Sequence, residues 1–195
     1  MTDPLVVVDY DPVWPALFAA LRVPVAAALD DVAVAIEHIG STAVPGLAAK
    51  PIIDLDVVIP DEADLPTAIE RLAFLGYIYE GDNGIPGRAA FVWPPGTQRH
   101  HLYVCALDSV EYHRPVLFRD YLRAQPDVMA AYGALKRRLA ERYGTQRDAY
   151  TESKGPFVSE TLECAEEWAR CSGWELPGRG ALISGSAITQ SADEP

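Results

Sequence analysis

Residues 51–60 constrain this chain more than any other stretch. Between two prolines lies Ile52-Ile53-Asp54-Leu55-Asp56-Val57-Val58-Ile59, a β-branched and apolar run interrupted by two carboxylates. Such a run reads as a buried strand. Successive side chains on a strand alternate faces, and residues i and i+2 stand about 7 Å apart on one face. Asp54 and Asp56 therefore share a face, and Ile53, Leu55 and Val57 share the other. Two adjacent carboxylates repel. A hard divalent cation, Mg²⁺ or Mn²⁺, relieves that repulsion through oxygen ligands. A solvated or salt-bridged pair is the plainer reading of the same residues.

The flanking pattern sets the fold class. Residues 5–9 and 32–38 read as strands. Asp11 before Pro12 reads as a helix start, with an Ala-rich apolar helix to residue 29 kinked at Pro24. Gly40-Ser41-Thr42 is a turn, and residues 44–49 have room for one helical turn. Residues 61–75 are helical in pattern and stop at Gly76. Residues 77–80 form a short strand, 81–87 a glycine-rich turn, and 88–93 with 98–106 a hairpin across Pro94-Pro95-Gly96. From residue 110 the pattern turns helical, over about 111–124, 127–143 and 145–170, punctuated by Pro126 and Gly144. Strands early and helices late predict an α+β fold, a mixed sheet with helices packed on it and a helical C-terminal half. Residues 1–174 read as one domain and 175–195, Gly/Ser-rich and without periodicity, as a disordered tail.

Charge narrows the function. With 16 basic against 28 acidic residues in 195, the net charge is −12. That balance argues against coating nucleic acid, where affinity comes from neutralising phosphates. A small phosphate pocket needs only a few placed cations. No apolar run is long enough to span a membrane, and residues 1–9 lack the pattern of a signal peptide. Three cysteines, Cys105, Cys164 and Cys171, form no CxxC and read as reduced thiols of a cytoplasmic protein. Cys105 reads as core. Cys164 and Cys171, seven apart, read as a packed helix face.

Upstream of the two aspartates, Gly40-Ser41 follows a strand. Glycine lets a ligand approach the backbone, and loop amides with a serine hydroxyl can hold phosphate. A phosphate loop before a DxD strand suits nucleotidyl transfer, in which metal bridges triphosphate oxygens and carboxylates. His101 suits a metal ligand, a base or a strand hydrogen bond, with His100 pointing to the opposite face. His38 is as well placed to hold the loop as to act chemically. Lys50, Arg119, Lys136 and Lys154 are candidate phosphate contacts, against the alternative of an ordinary basic helix face. Of the late tyrosines most read as core, and Tyr150 as a platform for a base. The chain has no Walker-type P-loop and no zinc pattern.

The stretch His38-Ile39-Gly40-Ser41-Thr42-Ala43-Val44-Pro45-Gly46-Leu47-Ala48-Ala49-Lys50-Pro51-Ile52-Ile53-Asp54-Leu55-Asp56 resembles the signature of the GrpB family, within the nucleotidyltransferase-fold superfamily. His101-Leu102-Tyr103-Val104 resembles its HLHV strand, and Phe118-Arg119-Asp120-Tyr121-Leu122-Arg123 its FRDYLR helix. Tyr132 with Leu135-Lys136 resembles Y-x-x-L-K, and Asp148, Tyr150, Lys154 and Phe157 its closing motif. The likeness covers about residues 5–170. It implies a helical half closing over a cleft, phosphate held by Gly40, Ser41 and Thr42, and metal held by Asp54 and Asp56. That superfamily usually adds a third carboxylate from a later strand. Here the strand over 98–106 offers His101 and Tyr103 instead, and Tyr103 stands where many family members have His. Ala43 likewise stands where Ser is more frequent.

Three functions follow as expectations. The first is a metal-dependent transferase moving a nucleotidyl group from a nucleoside triphosphate to a small-molecule acceptor. Asp54, Asp56 and His101 would form its catalytic and metal set. The second is a non-catalytic module binding a nucleotide or CoA precursor, like the domain that resembles an appendage of dephospho-CoA kinases. The third is another NTP-dependent enzyme, for phosphoryl transfer or ligation. Fold alone does not choose among them.

Overall fold

The computed structural model describes residues 4–178. Five strands form one mixed sheet: β1 (Ala35–Ile39), β2 (Ile53–Ile59), β3 (Ile78–Tyr79), β4 (Arg88–Val92) and β5 (His100–Ala106). Their order is β1-β2-β5-β4-β3. β2 runs antiparallel to β1 and parallel to β5, and the β4–β5 hairpin across Pro94-Pro95-Gly96 forms as expected. Among the described residues there are six α-helices, one more than the pattern predicts: α1 (Trp14–Ala28) and α2 (Leu65–Phe74), then α3 (Val110–Ala124), α4 (Pro126–Tyr143), α5 (Arg147–Ser153) and α6 (Gly155–Ser172). The α+β class, with the sheet in the first half, holds.

The two faces of β2 organise the layers. Ile53, Leu55, Val57 and Ile59 pack with Trp14 and Val25 of α1, with Leu29 just beyond its end, and with Ala68 and Leu72 of α2. On the other face, Val58 packs with Ile39, Cys105 and Tyr112 and Val116 of α3. Burial on both sides explains why β2 is nearly continuous in apolar residues, as a strand paired on one side in parallel must be.

Several local expectations change. Residues 5–9 make one bridge, Val8 with Ala49, instead of a strand. The next pair would match Val6 with Pro51, which has no N–H to give. On the other side the Leu47 N–H is already bonded to Val44 O. The helical turn expected over 44–49 lies earlier, as a 3-10 turn over Ser41–Ala43. Val44 precedes Pro45, and a residue before proline is pushed to extended backbone, here φ −106° and ψ 108°. α1 begins at Trp14, with Asp11 Oδ1 accepting from Val13 N–H, and Pro24 lies inside it. The segment 145–170 divides at Lys154, because Pro156 cannot donate back to the preceding turn. Cys105 is core, whereas Cys164 and Cys171 are exposed instead of packed.

The expected start of the tail also moves. Leu176 is buried beside Tyr112, and the Tyr112 hydroxyl donates to Pro177 O. Residues 175–178 thus belong to the folded body, and the remainder of the expected tail, 179–195, lies outside the described residues.

Arg119 ties α3 to the sheet. Its guanidinium donates to Glu37 of β1 at 2.6 Å, to His38 O at 2.9 Å and to both Asp120 oxygens at 2.7 and 3.1 Å. Asp120 in turn accepts from Trp174 Nε1 at 3.1 Å. Arg119 was expected at phosphate. Its forked head is instead occupied by two carboxylates and a carbonyl, so its role here is structural. Removing one partner of a buried charge network leaves the others uncompensated, at a cost of about 3–5 kcal/mol. Arg119→Met should therefore lower unfolding stability by about that amount in urea titration. A variant as stable as the parent would contradict the clamp.

Candidate functional site

The second face of β2 runs from core to cleft. Val58 is fully buried, Asp56 is 1% exposed, and Asp54 opens to solvent. Asp56 lies opposite Glu37 of β1 and Tyr103 of β5, and Asp54 opposite Ile39 and His101. The alternation expected from the sequence is therefore realised. Both Asp56 oxygens lack a hydrogen-bond partner. Burial first, and then the Asp54 charge, push the Asp56 carboxyl well above the usual carboxylate range. An orphaned buried carboxylate beside a second one suits a hard divalent cation in charge and atom type.

Asp54 is held from two sides. Its Oδ1 accepts from His101 Nδ1 at 2.7 Å, which leaves the other ring nitrogen of His101 unencumbered by that bond. Its Oδ2 presses on Gly40, where a Cβ would stand 2.2 Å away. Gly40 also has φ +70°. Contact and backbone both demand glycine, so the Gly40-Ser41 loop and the DxD strand are fitted to each other. Among the described residues, no three His, Cys, Asp or Glu side chains gather to hold a metal ion.

His38 and His100 are structural. His38 Nε2 shares a 3.0 Å hydrogen bond with the Thr42 hydroxyl, and its ring stacks on Phe18. Burial pushes His38 down to about 4, so it is neutral. Thr42, expected at the nucleotide, is buried and also reaches Ile52 O at 3.4 Å, so its hydroxyl holds the loop from inside. His100 points to the opposite face, accepting from Tyr77 and donating to Gln98 O.

Beside Asp54 opens a cavity of about 390 Å³. Its walls carry Gly40, Ser41, Thr42, Lys50, Asp54, His101, Lys136, Tyr150 and Lys154. Ten of the eleven residues singled out from the sequence for catalysis, metal or nucleotide converge on this region. Nine of them line the cavity, and Asp56 stands directly behind Asp54. Arg119 is the exception. Lys136 is only 3% exposed and donates to Ser41 Oγ at 2.8 Å. Lys50 and Lys154 lie over the Tyr150 ring, at 4.9 and 4.6 Å, and Lys136 over Tyr132 at 4.6 Å. Tyr150 is thus a buried support for two ammonium groups and not an open platform for a base. None of the three lysines forms a salt bridge with a described carboxylate.

Sequence reading missed Glu37 and Tyr132 at this site, whereas Tyr103 lines the cavity beside His101 on the face where the strand pattern put both. Glu37 was visible as the one acid in the 32–38 strand run, and its alternation with His38 places it on the carboxylate side. Tyr132 hid among helix-core aromatics, because only the fold shows which of them faces a cavity.

Crowded cations titrate easily. Burial, then neighbouring Lys154, pushes Lys136 down to about 7, and burial, then Lys50, pushes Lys154 down to about 8. A lysine is charged below its pKa, so the cavity loses positive charge as pH rises through these values. A bound polyanion favours the charged form and returns the protons. Tripolyphosphate binding at pH near 8 should take up protons, seen as a dependence of calorimetric heat on buffer ionisation enthalpy, and its affinity should fall with rising pH. Binding with no proton uptake in the parent would contradict the assignment.

The sequence model of the GrpB protein family matches residues 4–164. A UPF0157 protein of Pseudomonas aeruginosa is 42% identical over 164 residues, 82% of this chain and 67% of that protein. The crystal structure of conserved protein GrpB from Enterococcus faecalis superposes with a TM-score of 0.75 at 32% identity, covering 84% of this chain and 99% of that one. A dephospho-CoA kinase of Mycolicibacterium paratuberculosis is 28% identical over 207 residues, 88% of this chain and 48% of that enzyme. No helix among the described residues is long and apolar enough to cross a membrane. The chain belongs to the GrpB family.

Proposed function

We propose that this chain binds a nucleoside triphosphate and transfers its nucleotidyl group to a small-molecule acceptor. The observation that carries the reading is the set of Lys50, Lys136 and Lys154, unpaired with any described carboxylate, around a cavity that also presents Ser41 and Asp54. Holding one buried and two half-buried cations near one another is unfavourable unless an anion is to be received. The triphosphate supplies that anion. Ser41 and the Gly40 backbone approach it from the loop, and the lysines neutralise it from α4 and from the segments flanking β2 and α6. Asp54 and Asp56 would hold Mg²⁺ or Mn²⁺, which when bound draws charge from the phosphate oxygens. His101 fixes Asp54 through Nδ1, and the pair can take up a proton released by an acceptor hydroxyl.

A second reading, a module that binds a nucleotide or CoA precursor without turnover, is supported by the likeness to a dephospho-CoA kinase. The burial of Asp56 agrees with it, since a protonated carboxyl there needs no metal.

Calorimetric titration with ATP, CTP, GTP and UTP, with and without Mg²⁺, separates the two. The transferase reading predicts that Mg²⁺ tightens binding by about tenfold or more and that Asp54→Asn/Asp56→Asn abolishes this gain. Binding indifferent to metal and to both carboxylates would establish the module instead. Loss of all binding in Lys136→Met/Lys154→Met is expected under either reading.

A further inference from the structure

A second cavity, of about 230 Å³, lies against the first. The two share Gly40, Ser41, Asp54, Tyr103 and Tyr132. Their characters are opposite. The first carries three lysines, whereas the second is walled by Val44, Phe118, Leu122 and Val158 with the rings of Tyr103 and Tyr132. Its one cation, Arg119, is committed to Glu37, Asp120 and His38 O. Polar groups remain where the cavities meet, at Ser41 and Asp54, and on Tyr103.

We infer that this apolar cavity seats the acceptor, and that the acceptor is a small, uncharged molecule with an apolar or aromatic body and a hydroxyl or amine directed at Asp54. The inference rests on the nucleotidyl-transfer reading above. In-line displacement brings the nucleophile to the face of the α-phosphorus opposite the leaving group. Pyrophosphate leaves into the lysine cavity, so the nucleophile comes from the side away from the lysines, and the apolar cavity that meets the first at Ser41 and Asp54 is the space that offers this. A bond forms between the acceptor oxygen or nitrogen and the α-phosphorus. The bond from that phosphorus to the bridging oxygen breaks, and pyrophosphate carries the electron pair away. The acceptor proton passes to the Asp54–His101 pair. A nucleobase fits the same space less well. Its ring nitrogens and exocyclic groups need partners, and buried polar edges without them are costly; here the walls offer almost none. An apolar ring incurs no such cost and gains from burial against aromatic side chains.

Benzyl alcohol, an uncharged ring bearing a hydroxyl, probes this cavity alone, and tripolyphosphate probes the lysine cavity alone. In ligand-observed NMR, benzyl alcohol should bind the full chain, bind equally with tripolyphosphate or with ATP and Mg²⁺ present, and weaken by about tenfold in Val158→Phe, which fills the cavity. Unchanged tripolyphosphate binding certifies that this variant is folded. Displacement of benzyl alcohol by ATP but not by tripolyphosphate would make the cavity the nucleobase seat and overturn the inference. No benzyl alcohol binding in the parent would overturn it as well, leaving the phosphate site intact. Failure of tripolyphosphate to bind at all would instead overturn the nucleotidyl-transfer reading on which it rests.

Discussion

Strand β2 is the constraint from which the rest of this structure follows. Its apolar row must be buried under α1 and α2, and the period of two then drives Asp54 and Asp56 into the opposite face. That face is covered in turn, at the Val58 end, by α3. Two carboxylates are therefore carried from the core boundary into a cleft, one sealed and one open. The Gly40-Ser41 loop is shaped to the open one, since the Asp54 carboxylate occupies the space of a side chain at position 40.

Positive charge around this face is divided between two tasks. Arg119 and Arg123 are saturated: Arg119 by Glu37, Asp120 and His38 O, Arg123 by Asp120 and Ala43 O. They fix α3 against β1 and against the end of the 3-10 turn. A planar guanidinium with several donors suits that use. The lysines are left to the cavity, resting on Tyr150 and Tyr132 and meeting no described carboxylate. The ammonium group, a compact charge whose pKa moves readily on burial, suits a site that gains charge when an anion arrives.

Much of this was legible from residue pattern. The alternation in 52–59 placed Asp54 and Asp56 correctly, because a strand's period leaves no freedom. The hairpin and the late helices followed from turn residues and apolar spacing. The errors arose where tertiary partners decide. Arg119 looks like Lys136 in sequence, since both are cations on late helices within stretches that resemble the family's motifs. Only the packing of α3 on β1 shows that Glu37 and Asp120 claim it. Tyr150 looks like a stacking residue until Lys50, a hundred positions earlier in the chain, is seen lying on it. The short strand at residues 5–9 failed for a local reason, the missing N–H of Pro51, that no window over residues 5–9 contains. The apolar cavity beside Asp54 joins residues from the loop, β5, α3, α4 and α6, and no single stretch announces it.

The central claim is that Asp54 and Asp56 face a phosphate site built by Lys50, Lys136 and Lys154. Crystals grown with Mn²⁺ and a non-hydrolysable ATP analogue, with manganese located by anomalous scattering, test it most directly. The account predicts a manganese peak at the Asp54 and Asp56 carboxylates, with the phosphates against Ser41 and the three lysines. Manganese absent from these carboxylates, or phosphates seated elsewhere on the molecule, would contradict it.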